Sequence, residues 1–120
     1  TPMRLLTERG LPWGLGSDSP MVASTNPFHT LHWAVNGTMV DGMVISEQTV
    51  DRRQALIAHT RNNARLLFAE HLLGTLEPGK RADMVVLDRD YLDVSADEIR
   101  DIKPLATMVD GEWVYRAQQP

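Results

Sequence analysis

The chain has no cysteine. Disulfides, thiolate metal sites and a cysteine nucleophile are therefore excluded, and an intracellular, cytoplasmic setting is the expectation. It also lacks any apolar run near the roughly 18 residues a membrane span needs, and it has no signal-type start. There is no block of five or six like charges, no repeat and no low-complexity tract. The 12 Lys and Arg residues are scattered, and with a net charge of -4 and a pI near 5.4 neither nucleic acid nor an anionic membrane is an expected partner. What is present is ordinary for one folded domain: 120 residues, 42% apolar and 23% charged, enough to bury a core. The start at Thr1, followed at once by an apolar segment, reads as a piece of a longer protein.

The most informative stretch runs from Leu73 to Asp88, LGTLEPGKRADMVVLD. Pro78 and Gly79 at the second and third positions of a turn predict type II geometry, since proline presets φ and glycine accepts φ > 0. Met84 to Leu87 is continuously apolar and predicts a strand buried on both faces. Upstream, Leu11 to Leu15 predicts a strand that runs into the Gly16-Ser17-Asp18-Ser19-Pro20 loop. Asn26-Pro27 predicts a capped helix start, with Phe28, Leu31, Trp33, Ala34 and Val35 helically spaced and Gly37 as the stop. Val40 to Gln48 reads as loop. A long helix is expected from Thr49 to about Glu70, with Asp51 in its first turn and an incomplete capping box because Arg52 falls where Glu or Gln belongs. Its two apolar stripes, Ile57, Ala64, Phe68 and Leu56, Leu67, imply cover on more than one side. Ser95 and Glu98 have capping-box spacing before a short helix through Ile102 that Pro104 stops. Ala106 to Tyr115 reads as a hairpin around Asp110-Gly111.

Asp18 is the sharpest chemical candidate. A carboxylate just past a strand's C-terminal tip is where α/β barrels and open α/β sheets keep active groups, and it can ligate a metal and accept a proton from water. Taken alone, Asp and Ser before Pro are equally ordinary turn residues. His29 and His32, at i and i+3, have a spacing that brings two imidazoles to one metal, yet their apolar neighbours fit a packed helix as well. His59 and His71 read as structural. Gly74 to Arg81 matches GxxxxGK, but Arg81 replaces the magnesium-binding hydroxyl, Pro78 removes an amide donor and a strand follows where a helix should, so nucleotide binding is not expected. Gly14-Leu15-Gly16-Ser17-Asp18-Ser19 is a still weaker dinucleotide fingerprint, lacking the third glycine.

Four segments taken in order resemble the C-terminal part of the amidohydrolase superfamily. They are the Gly16-Ser17-Asp18-Ser19-Pro20 loop, the Gln54-Ala55-Leu56 helix with Thr60, Asn63 and Ala64, the LGTLEPGKRADMVVLD segment, and Thr107-Met108-Val109-Asp110-Gly111. More narrowly they are similar to the amidohydrolase family 3 branch, which includes N-substituted formamide deformylases. The resemblance covers Leu11 to Tyr115. It implies an α/β fold: the last strand and helix of a (β/α)₈ TIM barrel over residues 1–72, then part of a composite β-sandwich with a short helix and terminal hairpin over residues 73–120. It implies hydrolysis of an amide-like C–N bond in a small molecule, with Asp18 as metal ligand and general base that returns the proton to the leaving nitrogen. Zinc is the expected divalent metal, and Ser19 and His29 are the substrate-side candidates, the stretch after the catalytic strand bordering the pocket. Gly79, Lys80 and Asp83 are expected to pin the barrel–sandwich junction. A (β/α)₈ barrel takes about 200 residues or more, and the family's early H-x-H motif and middle-strand ligands are missing. The chain alone is thus expected to bind no metal, to be inactive without the N-terminal remainder of the barrel, and to self-associate as a homo-oligomer. The alternative expectation is a free-standing, non-catalytic α+β module for assembly or binding.

Overall fold

The computed structural model describes residues 1–19, 24–39 and 41–118; Pro20 of the Asp18 loop and Val40, where the predicted loop begins, lie outside them. A short helix opens the chain, α1 (Met3–Glu8), which the sequence reading missed. It is six residues long, too short to show a periodic stripe, and tertiary contacts hold it. Met3 is fully buried, Arg4 donates to the Thr49 and Glu47 carbonyls, and the Leu5 amide donates to Gln48 Oε1 at 3.2 Å.

The second helix, α2 (Pro27–Asn36), follows expectation. Asn26 caps it by accepting from the Phe28 amide, proline occupies the first turn, and Gly37 ends it at φ 75. The long helix does not form in one piece. It divides into α3 (Arg52–His59) and α4 (Arg61–Leu66) at Thr60, whose φ of -120 and ψ of -84 leave the helical region. The cap also lies two residues later than expected. Asp51, not Thr49, is the N-cap, so the third helical position falls on Gln54, and the capping box is complete. Arg52 is the first helical residue instead, and its guanidinium reaches across to the Tyr91 and Val94 carbonyls. α4 ends at Leu66, short of Glu70, in a Schellman arrangement: Phe68 N–H donates to Arg65 and Ala69 N–H to Ala64, with Phe68 at φ 56.

The predicted Leu11–Leu15 strand does not form: among the described residues the segment has no regular structure and no strand partner. Its polar groups are met by helices instead: the Leu15 amide donates to the Ala58 carbonyl, and Asn62 and Asn63 Nδ2 donate to the Trp13 and Leu15 carbonyls at 3.0 and 2.9 Å. Gly14 lies so close to this helix that an added Cβ would sit 2.1 Å from Asn63 Oδ1.

The sheet has three antiparallel strands in the order β1 (Met84–Leu87), β2 (Pro104–Val109), β3 (Glu112–Arg116). Before β2, Ser95 and Glu98 bond side chain to side chain and the Glu98 carboxylate accepts the Ser95 amide. The turn that follows is 3₁₀, Asp97–Asp101, rather than α-helical. The β2–β3 connection is the expected hairpin, and positive φ at both Asp110 (51) and Gly111 (84) gives it type I′ character. The expectation of a strand buried on both faces fails: Met84, Val85 and Val86 are all exposed, because the sheet is one layer thick and the core lies elsewhere. That core is formed by Met3, Leu15, the inner side of α2 and α3, Tyr91, Ile99 and Ile102.

Candidate functional site

The Asp18 segment is held on its N-terminal side. α3 and α4 anchor its approach through the Leu15 amide and the Asn62 and Asn63 side chains, and beyond Leu15 the chain turns outward. Asp18 has φ 53, a left-handed conformation that Asp tolerates better than most residues. Its carboxylate borders a cavity of about 380 Å³, and among the described residues no side chain bonds or pairs with it. Across the cavity stands α2, contributing His29, Thr30 and Trp33, while Trp13, Leu15 and Met39 supply apolar wall.

The structure thus brings Asp18 and His29 to one cavity. Ser19 does not line it; its amide donates to Ser17 Oγ at 3.3 Å, which shapes the loop. His32 points away from that cavity, toward the 3₁₀ turn. It is 0% exposed, and the Asn36 amide bridges it to Asp97, with Nδ2 3.2 Å from His32 Nε2 and 2.7 Å from Asp97 Oδ1. An amide nitrogen donates, so Nε2 accepts and the imidazole is neutral. Burial first, and the Arg100 charge second, hold its pKa below the ordinary value, outweighing Asp97 at 3.8 Å. Among the described residues no group of three or more His, Asp or Glu is placed to hold a metal ion. Asp18 offers one carboxylate, a hard oxygen ligand that suits a divalent-metal site but does not complete one.

The Leu73–Asp88 segment lies apart from the cavity. Gly79 has φ 92 and the Lys80 amide donates to the Glu77 carbonyl at 3.2 Å, closing the Pro-Gly turn. Lys80 Nζ donates to Thr75 Oγ1 at 2.6 Å and pairs with Glu77 at 3.0 Å. The Thr75 hydroxyl, with Lys80, holds the Glu77 carboxyl below its usual range. Asp83 Oδ1 accepts the Asp110 amide at 2.7 Å, and the Gly111 amide donates to Ala82. These residues join one turn to the tip of the hairpin, and none of them lines the cavity.

Reading the sequence alone missed Thr30 and Trp33 as cavity residues, since an indole among apolar neighbours on a helix looks like core. It also gave no role to Asn62, although two adjacent amides in the middle of a helix that must be covered are a signal that they meet backbone elsewhere.

Asp18 is the one carboxylate residue among the described residues lining a mostly apolar cavity. The chain belongs to the amidohydrolase family, whose family model matches residues 1–115. It is 33% identical over 115 residues to the N-substituted formamide deformylase of Arthrobacter pascens, covering 95% of this chain and 21% of that protein. It is 39% identical over 103 residues to Protein LONG AFTER FAR-RED 3 of Arabidopsis thaliana, covering 84% and 17%. A 5-methylthioadenosine/S-adenosylhomocysteine deaminase of Teredinibacter turnerae is 31% identical over 94 residues, covering 78% and 21%. The chain therefore spans about a fifth of the length of these curated relatives. In fold it is similar to an amidohydrolase from Thermotoga maritima MSB8, with TM-score 0.70 and 22% identity, over 93% of this chain and 25% of that one.

Proposed function

We propose that this chain is the C-terminal part of a metal-dependent hydrolase that cleaves a non-peptide, amide-like C–N bond in a small molecule, and that Asp18 is its general base and one ligand of its metal. Residues 1–72 then carry the last strand segment and helices of a (β/α)₈ barrel, and residues 73–120 a share of its β-sandwich. Gly79, Lys80 and Asp83 brace the junction, and the N-terminal remainder of the barrel supplies the other ligands. The observation that carries this reading is that Asp18, with no side-chain partner among the described residues, lines the same cavity as His29.

A divalent metal ion, zinc by family resemblance, supplies Lewis-acid polarisation of a carbonyl and makes water nucleophilic near neutral pH. With the metal held by Asp18 and by ligands from the rest of the barrel, Asp18 would accept the proton of the attacking water and return it to the departing nitrogen, so that an amine leaves. Asn62 and Asn63 fix the segment that carries Asp18. Ser19 stands next to the base, and its amide's bond to Ser17 stiffens the loop. His29 meets the substrate from α2.

The test is Asp18→Asn in the full-length protein, assayed on N-substituted formamides. Turnover is expected to fall by about a thousandfold, within the range of general acid–base catalysis, with the circular dichroism spectrum unchanged. Undiminished turnover overturns the assignment.

A further inference from the structure

Among the described residues His32 is the titratable side chain buried most completely, and the proton transfer at Asp18 does not use it. It sits where α2 packs on the 3₁₀ turn, to which the turn also brings the fully buried Ile99. Apolar packing is non-directional, so by itself it lets a helix slide along its neighbour at small cost. The polar tie beside it is directional. Asn36 Nδ2 donates to Asp97 Oδ1 at 2.7 Å and lies 3.2 Å from His32 Nε2. The shorter bond, assisted by the carboxylate's charge, fixes which end of the Asn36 amide faces the imidazole. His29 stands one turn before His32 on the same ten-residue helix. A register set at His32 is therefore the register His29 takes beside the Asp18 cavity.

This tie has no place for a second proton. Nε2 faces the Asn36 donor, and Nδ1, which carries the proton of the neutral ring, is buried without a partner among the described residues. A proton added at Nε2 sets two donors against each other. The Asn36 amide then has to leave, its bond to Asp97 breaks, and the imidazolium is left to pair with the Asp97 carboxylate 3.8 Å away. The charged or titratable groups that face His32 divide by sign: Arg100 on the turn and His29 on α2 oppose the proton, and Asp97 favours it.

Resting on the reading that Asp18 and His29 border the hydrolytic site, we propose that neutral His32 is a positioning residue for His29. Through Asn36 it locks α2 to the Asp97 carboxylate of the second segment, and so sets where His29 meets the substrate. It touches no substrate itself. Protonation of His32 releases the lock and weakens that contact.

The full-length protein and N-benzylformamide test this. At pH 7.5 His32→Phe, which fills the site but accepts nothing from Asn36, is expected to raise KM about tenfold with kcat within about twofold, since the lost contact is a binding one. His32→Gln, whose amide oxygen accepts in place of Nε2, should restore KM to within about threefold of the unmodified protein. His29→Ala raises KM as well, and adding His32→Phe to it should raise KM no further, because His32 acts through His29. A merely structural role makes the two factors multiply and lets Gln fail as Phe does, and either result overturns the proposal. Between pH 7.5 and 5.5 the KM of the unmodified protein should rise at least about threefold more than that of His32→Gln; parallel profiles overturn it. Nitrogen-15 shifts of the histidine-labelled protein, with His32 assigned by its loss in His32→Gln, read the premise without substrate. The neutral ring is expected to carry its proton on Nδ1, and a proton on Nε2 overturns the proposal. Undiminished turnover of Asp18→Asn removes only the proton-transfer role of Asp18, because the KM comparisons need no more than a formamide bound beside His29. No turnover by the unmodified protein overturns both.

Discussion

At the scale of single residues, position matters more than residue type. Asp18 can act only if the chain before it is held still, and Asn63 does much of that holding. Its Nδ2 donates to Leu15 at 2.9 Å and its Oδ1 faces Gly14. Asn63→Leu leaves the Leu15 carbonyl unpaired, and a cost of about 1–3 kcal/mol follows; in the full-length protein kcat is expected to fall more than KM rises, measured by steady-state kinetics. Gly14→Ala pushes against the same amide and should act in the same direction. Of these residues, Asp18 is singled out by the family resemblance, since an acid before Ser-Pro is by itself an ordinary turn residue. Trp33 is not, since its character as a lining residue depends on which side of α2 the Asp18 segment crosses, and nothing local encodes that.

Helices show how sequence phase can mislead. A cap at Thr49, as the sequence pattern suggests, leaves Arg52 where Glu or Gln belongs. With Asp51 as the cap the box closes, and Asp51→Ala is expected to cost about 1 kcal/mol, seen as a lower urea midpoint. Arg52 and Tyr91 form a reciprocal tie between α3 and the segment after β1. The Tyr91 hydroxyl donates to the Arg52 carbonyl at 2.9 Å, and burial pushes its pKa up to about 12. The α2–3₁₀ contact, by contrast, is sensitive to acid. With the His32 pKa lowered in the folded state, the unfolded chain takes up a proton first. The stability from this contact is complete above the ordinary histidine value of about 6.5 and is lost as pH falls through it toward the folded value. His29, Asp97 and Arg100 are the charged or titratable groups that face it. Faster amide exchange of α2 at pH 5.5 than at 7.5, after correction for intrinsic rates, is the expected result. His32→Gln should flatten the dependence.

Across the whole molecule the sheet and the end of α4 carry large exposed apolar side chains. Leu67 is 73% and Phe68 86% exposed, and Val85 is 49% exposed on a strand with only one neighbour. No described helix is long and apolar enough to cross a membrane; on the proposed reading, the remainder of the barrel covers that surface. The isolated chain is expected to self-associate in sedimentation velocity, and a clean monomer would count against the fragment reading. Phe68→Gly gives a sharper comparison. In the isolated chain it removes a bulky residue from φ 56 and should stabilise by about 1 kcal/mol; in the full-length protein, where Phe68 is covered on this reading, the same change should lower the melting temperature.

The sequence by itself determined the features whose physics is local: the Asn26 cap and Gly37 stop of α2, the Pro78-Gly79 turn and the Asp110-Gly111 hairpin. Each rests on φ preferences or hydrogen bonds within a few residues. Tertiary structure alone decided the rest. The Leu11–Leu15 segment is bonded by side-chain amides rather than by a strand. One long amphipathic pattern breaks at Thr60, and α1 exists because Met3 is buried. Asp18, His29 and Trp33 share a cavity because α2 packs across the segment that α3 and α4 anchor. Those outcomes depend on contacts between residues far apart in the chain, which no periodicity within a single element records.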